Sequence, residues 1–271
     1  MNKTTVWMNP NFPEIEFFTA HYIDFSYAPH FHEDYAIGVV EQGVHAFQYR
    51  RETFSIPAGH VVTCQPGEVH NGYPGSAEPW RYRMLYLHPS LVQEVAVELG
   101  FRSSSQPFLS YTAIKHKHAV HAVRSLHQQG ITGKPTLAQE VEAREVLALI
   151  LSNFSEVRPN LRSFHDERTP VRLAIATMHE RYQEDLQLHD LATAAHLSKS
   201  YFIRAFRQHT GMSPYAYLVQ VRLNRAKSLL RQGTPVVDVA QRTGFYDQSH
   251  LTRSFKRFMG VPPGQYATAI G

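Results

Sequence analysis

One change of hydrophobic period divides the chain. Residues 14–90 contain short runs in which apolar and polar positions alternate, and Pro and Gly separate these runs. This pattern predicts antiparallel strands joined by tight turns, arranged as a sandwich or barrel. From residue 91 onward the apolar positions recur every three or four residues, which predicts helices. The chain therefore begins with a mainly β region and ends with an all-α region.

The candidate strands are residues 35–40, 44–49, 52–56, 60–64 and 80–87. The Glu-Gln-Gly sequence at residues 41–43 separates the first two strands and predicts a β-hairpin. In the last strand Trp80, Tyr82 and Tyr86 alternate with arginine and leucine. Because successive side chains of a strand point to opposite faces, one face of this strand is predicted to be aromatic.

Three helices are predicted after the strands, over residues 91–99, 112–129 and 136–154. The second carries His116, His118 and His121, which we interpret as a solvated polar face because no carboxylate or cysteine accompanies them. The third has a broad apolar stripe, which we expect to cover the barrel.

One stretch of the helical region is written twice. The motif S-[YH]-[FL]-x-R-x-F-x4-G-x2-P-x2-Y runs from Ser200 to Tyr217 and again from Ser249 to Tyr266, without any change of spacing. A match of this length identifies an internal repeat.

Each copy predicts a helix with two unlike faces. Phe202 and Phe206 in the first copy lie four residues apart, as Leu251 and Phe255 do in the second, and such pairs predict a buried seam. The opposite faces carry Arg, Lys, Ser, Thr and Gln, the residue types that contact phosphates and base edges in the major groove of DNA. Because a short apolar stripe and a turn precede each helix, each copy is predicted to complete a helix-turn-helix.

The two turns carry residues that tolerate a positive φ. His196 stands in the first turn and Gly244 in the second; glycine adopts positive φ readily, and histidine tolerates it better than most residues. Ser198 is a good N-cap for the helix of the first copy. A long helix over residues 215–231, ended by Gly233, is predicted to join the two copies.

Charge is distributed unevenly along the chain. Residues 170–271 hold 13 Lys and Arg against 6 Asp and Glu, a net charge of +7, whereas residues 1–169 carry −3. The basic excess therefore coincides with the repeat, as contact with phosphates requires. A merely solvated polar face would not predict this division.

Cysteine content and hydropathy indicate the compartment. Cys64 is the only cysteine, which excludes an internal disulfide and indicates a reducing environment. No segment has the length and apolarity of a signal peptide or a membrane span. We therefore expect a soluble, cytoplasmic protein that does not contact a membrane.

The helical region resembles a known family. The motifs that carry the resemblance are L-x2-LA from Leu188, LS-x2-YF-x-R-x-F from Leu197, G-x-SP-x2-Y from Gly211, R-x3-A-x2-LL from Arg222 and GF-x-DQSH from Gly244. Together, over about residues 186–266, they resemble the double helix-turn-helix domain of AraC/XylS-type transcription regulators. The β region resembles the cupin-like effector domain of that family, through H-x-H-x5-G-x4-G from His30, P-A-G at residues 57–59 and P-G-E-V-H at residues 66–70.

The resemblance implies a two-domain fold, in which an N-terminal all-β cupin-like barrel with appended helices precedes a C-terminal all-α domain with two helix-turn-helix motifs. The predicted domains are residues 1–156 for ligand binding and dimerisation, with the barrel at about 14–90 and helices at 91–155, a linker at 157–169, and residues 170–271 for DNA binding. The linker is indicated by its Pro, Asn and Ser content and its few apolar residues.

The resemblance also implies residue roles in binding DNA. Position in the family motif and residue chemistry together give as DNA contacts Lys199, Ser200, Ile203, Arg204, Arg207, Gln248, Ser249, His250, Thr252, Arg253 and Lys256. Arg204 and Arg253 are the strongest candidates for reading bases, because arginine pairs bidentately with guanine. Lys199, Arg207 and Lys256 are expected to contact phosphates.

The expected effector contacts are His30, His32, Tyr35, His70, Trp80, Tyr82, Arg83 and Tyr86. At least half of the aromatic residues in this set are expected to be ordinary core. Metal-binding cupins combine three His with a Glu, but here the carboxylate position falls at Ala36 or Ile37. We therefore predict no bound metal or other cofactor, and Zn²⁺ held by His30, His32 and His70 alone is the alternative.

The predicted function is that of a ligand-responsive, sequence-specific transcription regulator, and the resemblance favours an activator. The implied partners are double-stranded DNA, a small-molecule effector, RNA polymerase and a second copy of the chain, with the helix over residues 136–154 as the dimer contact. Two alternatives stay open: a metal-dependent cupin enzyme fused to a DNA-binding domain, and a purely architectural DNA-binding protein.

Overall fold

The structure is a computed structural model that describes residues 2–9, 12–50, 52–101, 106–130, 137–156 and 170–270. The chain divides into two compact units, formed mainly by residues up to 159 and mainly by residues from 160 on. The predicted linker, residues 157–169, lies outside the described residues.

The first unit is built on antiparallel sheets. Its strands are β1 Lys3–Asn9, β2 Phe12–Tyr22, β3 Tyr27–His30, β4 Tyr35–Gln42, β5 Val44–Tyr49, β6 Glu52–Pro57, β7 Val61–Cys64, β8 His70–Pro74, β9 Trp80–Leu87, β10 Phe108–Leu109, β11 Ala113–Ile114 and β12 Ser155–Glu156. They form a six-stranded sheet in the order β1-β2-β9-β4-β7-β11, a four-stranded sheet in the order β3-β8-β5-β6, and the pair β10-β12. All five candidate strands are present, and β1 adds a strand before the predicted start of the barrel.

The predicted hairpin at residues 41–43 is wrong. β4 pairs with β7 and β9, whereas β5 pairs with β6 and β8, so the two strands belong to different sheets. Gly43, at φ +68°, takes the chain from one sheet to the other, and a Cβ at this position would lie 2.7 Å from the carbonyl oxygen of Pro79. Glycine is therefore required here by both conformation and space.

The six-stranded sheet is buried on both faces. On one face Tyr35, Ile37 and Leu85 pack into a cluster with apolar side chains from three helices. On the other face Trp80 packs against the four-stranded sheet, and its ring lies 4.6 Å from that of His45, between centroids. Each large side chain buried in this way contributes roughly 1.5–3 kcal/mol, so the core on each face stabilises the unit substantially.

The three covering helices are α1 Pro89–Glu98, α2 Lys117–Gln129 and α3 Leu137–Phe154. α2 begins later than predicted, because Ala113–Ile114 pairs with β7 as strand β11 and His116 caps the helix. In α3, Leu147, Ile150 and Leu151 are buried in the cluster on the sheet. The stripe on α3 therefore covers the barrel, as predicted, whereas Val141 on the same helix is 46 % exposed.

From residue 170 to residue 270 the secondary structure is entirely helical. Its helices are α4 Pro170–Glu180, α5 Leu188–Ala194, α6 Lys199–Thr210, α7 Pro214–Arg231, α8 Val236–Arg242, α9 Gln248–Met259 and α10 Pro263–Ile270. α5 and α6 form the first helix-turn-helix, α8 and α9 form the second, and α7 connects them. No helix in the described part of the chain is long and apolar enough to span a bilayer.

The ends of α6 and α9 show how closely the two copies correspond. α6 is followed by Gly211 at φ +77° and α9 by Gly260 at φ +76°, both in the left-handed region. Each glycine amide donates to the helix, to Arg207 and Lys256 respectively, at 2.9 and 2.8 Å. Glycine permits this closing conformation at little cost, so the repeated motif ends both helices in the same way.

Candidate nucleic-acid interface and barrel interior

α6 has a buried aromatic seam and an exposed polar face. Phe202 and Phe206 are fully buried, with their ring centroids 5.5 Å apart. On the other side Arg204 and Arg207 are exposed, and Ile203 is 38 % exposed. The helix is thus anchored by its aromatic residues while its cations reach solvent.

α9 repeats this division. Leu251 and Phe255 are fully buried, and Arg253 and Lys256 are exposed. Arg253 lies six residues after the N-cap of α9, and Arg204 lies six residues after the N-cap of α6. The two arginines therefore occupy the same position on their helices.

The N-caps of the two helices differ in chemistry. The Ser198 hydroxyl accepts the amide of Tyr201 at 3.4 Å, whereas the Asp247 carboxylate accepts the amide of His250 at 2.6 Å. Removing a cap of either kind typically costs about 1 kcal/mol of stability. The carboxylate also interacts favourably with the positive end of the helix dipole, so the cap of α9 is the stronger one.

The turns that lead into α6 and α9 differ by one residue. In the first turn His196 adopts φ +53° and lies two residues before the cap Ser198. In the second turn Gly244 adopts φ +74° and lies three residues before the cap Asp247. The additional residue is Tyr246, whose side chain is 93 % exposed.

Backbone hydrogen bonds establish the equivalence of the two turns. The amide of Leu197 donates to the carbonyl of Ala192 at 2.9 Å, and the amide of Phe245 donates to the carbonyl of Ala240 at 3.1 Å. Each bond spans five residues and encloses one left-handed residue, as in a helix that ends on a Schellman-type turn. The turns therefore start in the same way and diverge only afterwards.

The extra residue was detectable in the sequence. Nine positions separate Leu191 from Ser200, whereas ten separate Val239 from Ser249. Because the repeat motif begins at the serine, a comparison that starts there does not include Tyr246.

The predicted DNA contacts are not equally available. Lys199, Gln248 and Ser249 are exposed. The ring of His250 is half-buried and packs edge-on against Phe245, 5.2 Å between centroids. Thr252 donates its hydroxyl to the carbonyl of Gln248 at 2.8 Å. Ser200 lies in α6 among them, one residue after Lys199.

Arg222 in α7 links the two helix-turn-helix units. Its Nε and Nη2 donate to the carbonyls of Tyr182 and Glu184 at 2.7 and 2.8 Å, just before the first helix-turn-helix. A Cβ on Gly244 in the second would lie 2.9 Å from the same Tyr182 oxygen and 3.0 Å from Arg222 Nε. Burial lowers the pKa of Arg222 from its ordinary value, and the guanidinium stays charged at neutral pH.

The barrel interior is polar and aromatic. The hydroxyls of Tyr22 and Tyr27 lie 2.6 Å apart, and Tyr82 donates its hydroxyl to Tyr27 at 3.1 Å. Burial raises the pKa of Tyr27 and of Tyr82 well above the ordinary value, so these phenols stay neutral. Burial also lowers the pKa of His45 to about 3, which keeps its imidazole neutral at physiological pH.

Nδ1 of His45 and Nε1 of Trp80 are buried in this interior and have no hydrogen-bond partner among the described residues. Buried polar atoms in native proteins are nearly always paired, so such atoms are where a water or a ligand binds. His45 is not among the predicted effector contacts, although it alternates with Phe47 and Tyr49 along β5 and so shares their face.

Three of the predicted effector residues form a second group in the interior. His30, His32 and His70 are buried, and their candidate ligand nitrogens all lie within 4.8 Å of one another. The rings of His32 and Tyr86 are 4.8 Å apart, between centroids. The structure therefore brings together the three histidines and Tyr86, and it places Trp80 and Tyr82 beside His45.

Tyr35 and Arg83 lie on the other face of the six-stranded sheet, away from the interior. The Tyr35 hydroxyl donates to the carbonyl of Pro107 at 2.8 Å. Arg83 donates to Glu41, which also accepts three hydrogen bonds from Arg124 of α2. Both residues therefore stabilise the packing of other segments on the sheet, and the expectation that they join the effector contacts is not supported by their position.

A buried interior with polar side chains in a β unit, followed by two matched helix-turn-helix units, is typical of ligand-responsive, DNA-binding transcription regulators. Comparison with known proteins agrees. Residues 12–151 match the family model of the AraC-like ligand binding domain, and residues 191–269 match that of a helix-turn-helix domain. The chain belongs to the AraC family of transcription regulators.

Two relatives are similar over most of their length. The HTH-type transcriptional regulator YbfI of Bacillus subtilis is 28 % identical over 222 residues, which are 82 % of this chain and 80 % of the relative. The HTH-type transcriptional activator RhaS of Escherichia coli is 25 % identical over 272 residues, 96 % of this chain and 91 % of the relative. Both are transcription regulators, and the alternative of a cupin enzyme finds no support among them.

A solved structure shows the same fold. Wild-type ToxT from Vibrio cholerae with a bound unsaturated fatty acid superposes with a TM-score of 0.55, at 12 % sequence identity, over 99 % of this chain and 95 % of that one. The predicted fold class, a β-rich ligand-binding domain followed by a helical DNA-binding domain, is therefore confirmed. This protein is a ligand-responsive DNA-binding transcription regulator of the AraC type and not an enzyme.

Proposed function

We propose that α6 and α9 read two successive major-groove segments of one operator, about 10 base pairs apart. The observation that carries this proposal is the matched position of Arg204 and Arg253, both exposed on helices whose opposite faces are fully buried. Because buried apolar side chains fix each helix, the guanidinium of an arginine at this position can pair with a base with little loss of conformational freedom.

The other exposed residues fit supporting roles. Lys199, Arg207 and Lys256 supply cations for phosphates. Gln248 and Ser249 lie near the start of α9, where they can reach base edges, and Ser200 holds the corresponding place on α6. Ile203 offers an apolar contact of the kind made with a thymine methyl group. His250 and Thr252 act at the edge of the contact, because both also interact with their own unit.

A small molecule in the barrel interior controls this DNA binding. His45 Nδ1 and Trp80 Nε1 supply buried polar atoms that have no hydrogen-bond partner within the described part of the chain, and Tyr82 supplies a neutral hydroxyl. His30, His32, His70 and Tyr86 extend the polar lining. An effector that binds one arrangement of the protein better than another shifts the population toward that arrangement.

The remaining assignments follow the family. Residues 1–156 are the ligand-binding and dimerisation domain, residues 157–169 the linker and residues 170–271 the DNA-binding domain. The similarity to the activator RhaS supports activation and contact with RNA polymerase. The protein acts in the cytoplasm as a homodimer, with the exposed side of α3 around Val141, 46 % exposed, at the contact.

The experiment compares two cations of α9 on one operator. Genomic fragments bound by the purified protein are selected first, and binding to the enriched sequence and its single-base variants is then measured over a range of salt. Arg253→Ala is expected to cost about 1–3 kcal/mol and to relax discrimination at one base position. Lys256→Ala is expected to weaken binding to all variants alike and to lower the salt slope by about one.

The matched control is Lys115→Ala, which removes an exposed cation from the first unit. This variant is expected to bind the operator like the unaltered protein. If Arg253→Ala and Lys256→Ala weakened binding with the same sequence profile and the same salt slope, the assignment of base and phosphate roles would be wrong.

The effector role is tested with a panel of fatty acids and sugars, scored for melting temperature and operator binding together. A true effector shifts both, because it binds the folded regulator and alters its DNA affinity. Tyr82→Phe removes one interior hydroxyl without changing the ring, and it should weaken the response. Tyr111→Phe, at a tyrosine that is 56 % exposed, serves as the control.

A further inference from the structure

The residue before each matched arginine also occupies a matched position. Ile203 precedes Arg204 and Thr252 precedes Arg253, and both lie five residues after the N-cap of their helix. Ile203 is 38 % exposed, and Thr252 is half-buried. Each of the helices α6 and α9 therefore presents a β-branched side chain, with a methyl group, next to its exposed arginine.

Thr252 uses its hydroxyl within its own helix. The hydroxyl donates to the carbonyl of Gln248, one turn earlier, at 2.8 Å. A hydroxyl has a single proton, so Thr252 cannot also donate to a guanine or thymine oxygen while this bond is made. The methyl group is the part of the side chain that remains for a base. Thr252 therefore offers DNA the same kind of apolar contact as Ile203.

The same pair of rings anchors both helices near their C-terminal ends. Phe206 packs edge-on against Tyr217, with ring centroids 5.5 Å apart, and Phe255 packs edge-on against Tyr266 at 5.3 Å. Phe206, Phe255 and Tyr266 are fully buried. Buried aromatic pairs of this kind fix the rotation of a helix on its core. The exposed residues of α6 and α9 are therefore held at the same angle from their anchored faces.

The two helices differ nearer to their N-termini. The first residue is Lys199 in α6 and Gln248 in α9, and both are exposed. Glutamine pairs with N6 and N7 of adenine, whereas lysine donates to guanine or to a phosphate. The third residue also differs, since Tyr201 is 54 % exposed and His250 packs against its own unit. A base preference common to both helices is thus confined to the bases that face the matched residues.

We propose that the operator contains the same two bases in both segments: a guanine bound by the arginine of each helix, and a thymine whose methyl group contacts the residue before that arginine. The separation between the two bases is the same in both segments. The contacting residues are Arg204 and Ile203 in the first segment and Arg253 and Thr252 in the second. Arginine binds O6 and N7 of guanine, and apolar side chains contact the C5 methyl group of thymine. This inference rests on the proposed function, in which α6 and α9 read successive major-groove segments.

The test uses the full chain and the operator enriched from genomic fragments. Arg204→Ala and Arg253→Ala each locate one guanine, as the base position at which discrimination is lost. Thymines near each guanine are then replaced one at a time by uracil, which removes the methyl group and leaves base pairing intact. One such replacement in each segment should weaken binding about three- to fivefold, the effect of one buried methyl group. Uracil outside both segments serves as the control and should leave the affinity unchanged.

Two variants of Thr252 separate its methyl group from its hydroxyl. Thr252→Ser keeps the hydroxyl and loses the methyl group, so it should bind the thymine and uracil duplexes of the second segment equally. Thr252→Val keeps a methyl group and loses the hydroxyl, so it should still prefer thymine. Ile203→Ala should lose the preference for thymine in the first segment only. The melting temperature of each variant shows whether it is folded.

The proposal is overturned if no thymine with the same separation from the guanine is found in both segments. It is also overturned if Thr252→Val loses the preference that Thr252→Ser keeps, because the hydroxyl would then be the group that contacts the base. In either case the two arginine variants still relax discrimination at one base each, so the proposed function stands. If the unaltered protein preferred no DNA sequence at all, the proposed function itself would be wrong.

Discussion

The two helix-turn-helix units of this protein are matched in their reading helices and differ in the turns before them. From cap to closing glycine, α6 and α9 have the same length, the same buried seam and an arginine at the same position. Before the cap, the second unit has one more residue than the first, Tyr246, and glycine instead of histidine at the left-handed position. The repeat therefore keeps the length and spacing of the exposed helices, whereas the length of the turn before each helix varies.

The surroundings of the left-handed residue explain the difference in its identity. His196 is exposed, so its side chain has space and only its backbone conformation is costly. Gly244 lies against Arg222 and two backbone carbonyls, where no side chain fits. The second turn is thus restricted by packing and the first only by conformation.

The largest expected effect comes from Gly244→Ala. The new Cβ would meet two carbonyl oxygens at 2.9 Å, and the residue would have to keep φ +74°. We expect a loss of about 2–4 kcal/mol of unfolding free energy, measured by denaturant titration of the full chain.

Gly233→Ala separates the two causes. Gly233 has φ +78°, and no atom of the residues that the structure describes would lie within 4 Å of a Cβ placed there. This variant should lose only the conformational part, about 1 kcal/mol. Equal losses in the two variants would mean that packing around Gly244 is unimportant.

The next largest effects on stability are expected from removing the N-caps of α9 and α6. Asp247→Ala removes a charged acceptor at 2.6 Å and should cost about 1–2 kcal/mol, whereas Ser198→Ala removes a neutral one at 3.4 Å and should cost about 0.5–1 kcal/mol. Thermal unfolding at low and high salt measures both. Salt should reduce the effect at Asp247 only, and a cost at Ser198 equal to or larger than that at Asp247 would contradict the ranking.

A smaller effect of opposite sign is expected at His196. Replacement by glycine relieves the left-handed strain at φ +53° and should raise the unfolding free energy by about 0.5–1 kcal/mol. Operator binding should not change. A loss of stability would instead show that the imidazole contributes a contact that outweighs the strain.

The smallest expected effect concerns the additional residue. Tyr246 is 93 % exposed immediately before the N-terminus of α9, so in the proposed orientation its hydroxyl can donate to a phosphate. Tyr246→Phe should weaken operator binding about two- to threefold, roughly 0.5 kcal/mol, without changing base preference. Unchanged affinity in this variant and in Tyr246→Ala would leave the extra residue without a part in DNA binding.

Much of the second unit could be predicted from the sequence, because its structure is set by local patterns. Phe202, Phe206, Leu251 and Phe255 are all buried where the helical period placed them. The cap Ser198 was also predicted correctly. Hydrophobic periodicity, N-caps and C-terminal glycines depend on residues that are close together in the sequence, so they can be predicted from one sequence.

The first unit was less predictable, because its contacts are distant in sequence. Gly43 was identified as a turn, but whether the strands beside it pair with each other depends on the neighbours that other segments supply. Alternation along β9 places Arg83 and Tyr82 on opposite faces of the strand, yet both are among the predicted effector contacts. Tyr35 is also among them although it lies on the face that the helices cover, and His45 of the interior is not.

Arg222 contacts both helix-turn-helix units. Its guanidinium donates hydrogen bonds to the carbonyls of Tyr182 and Glu184, and Gly244 of the second unit packs against it. Local unfolding of either helix-turn-helix unit would break these hydrogen bonds or expose the buried guanidinium. In amide hydrogen exchange, the protected amides of α6 and α9 should therefore exchange through a single cooperative opening, as one folding unit and not as two.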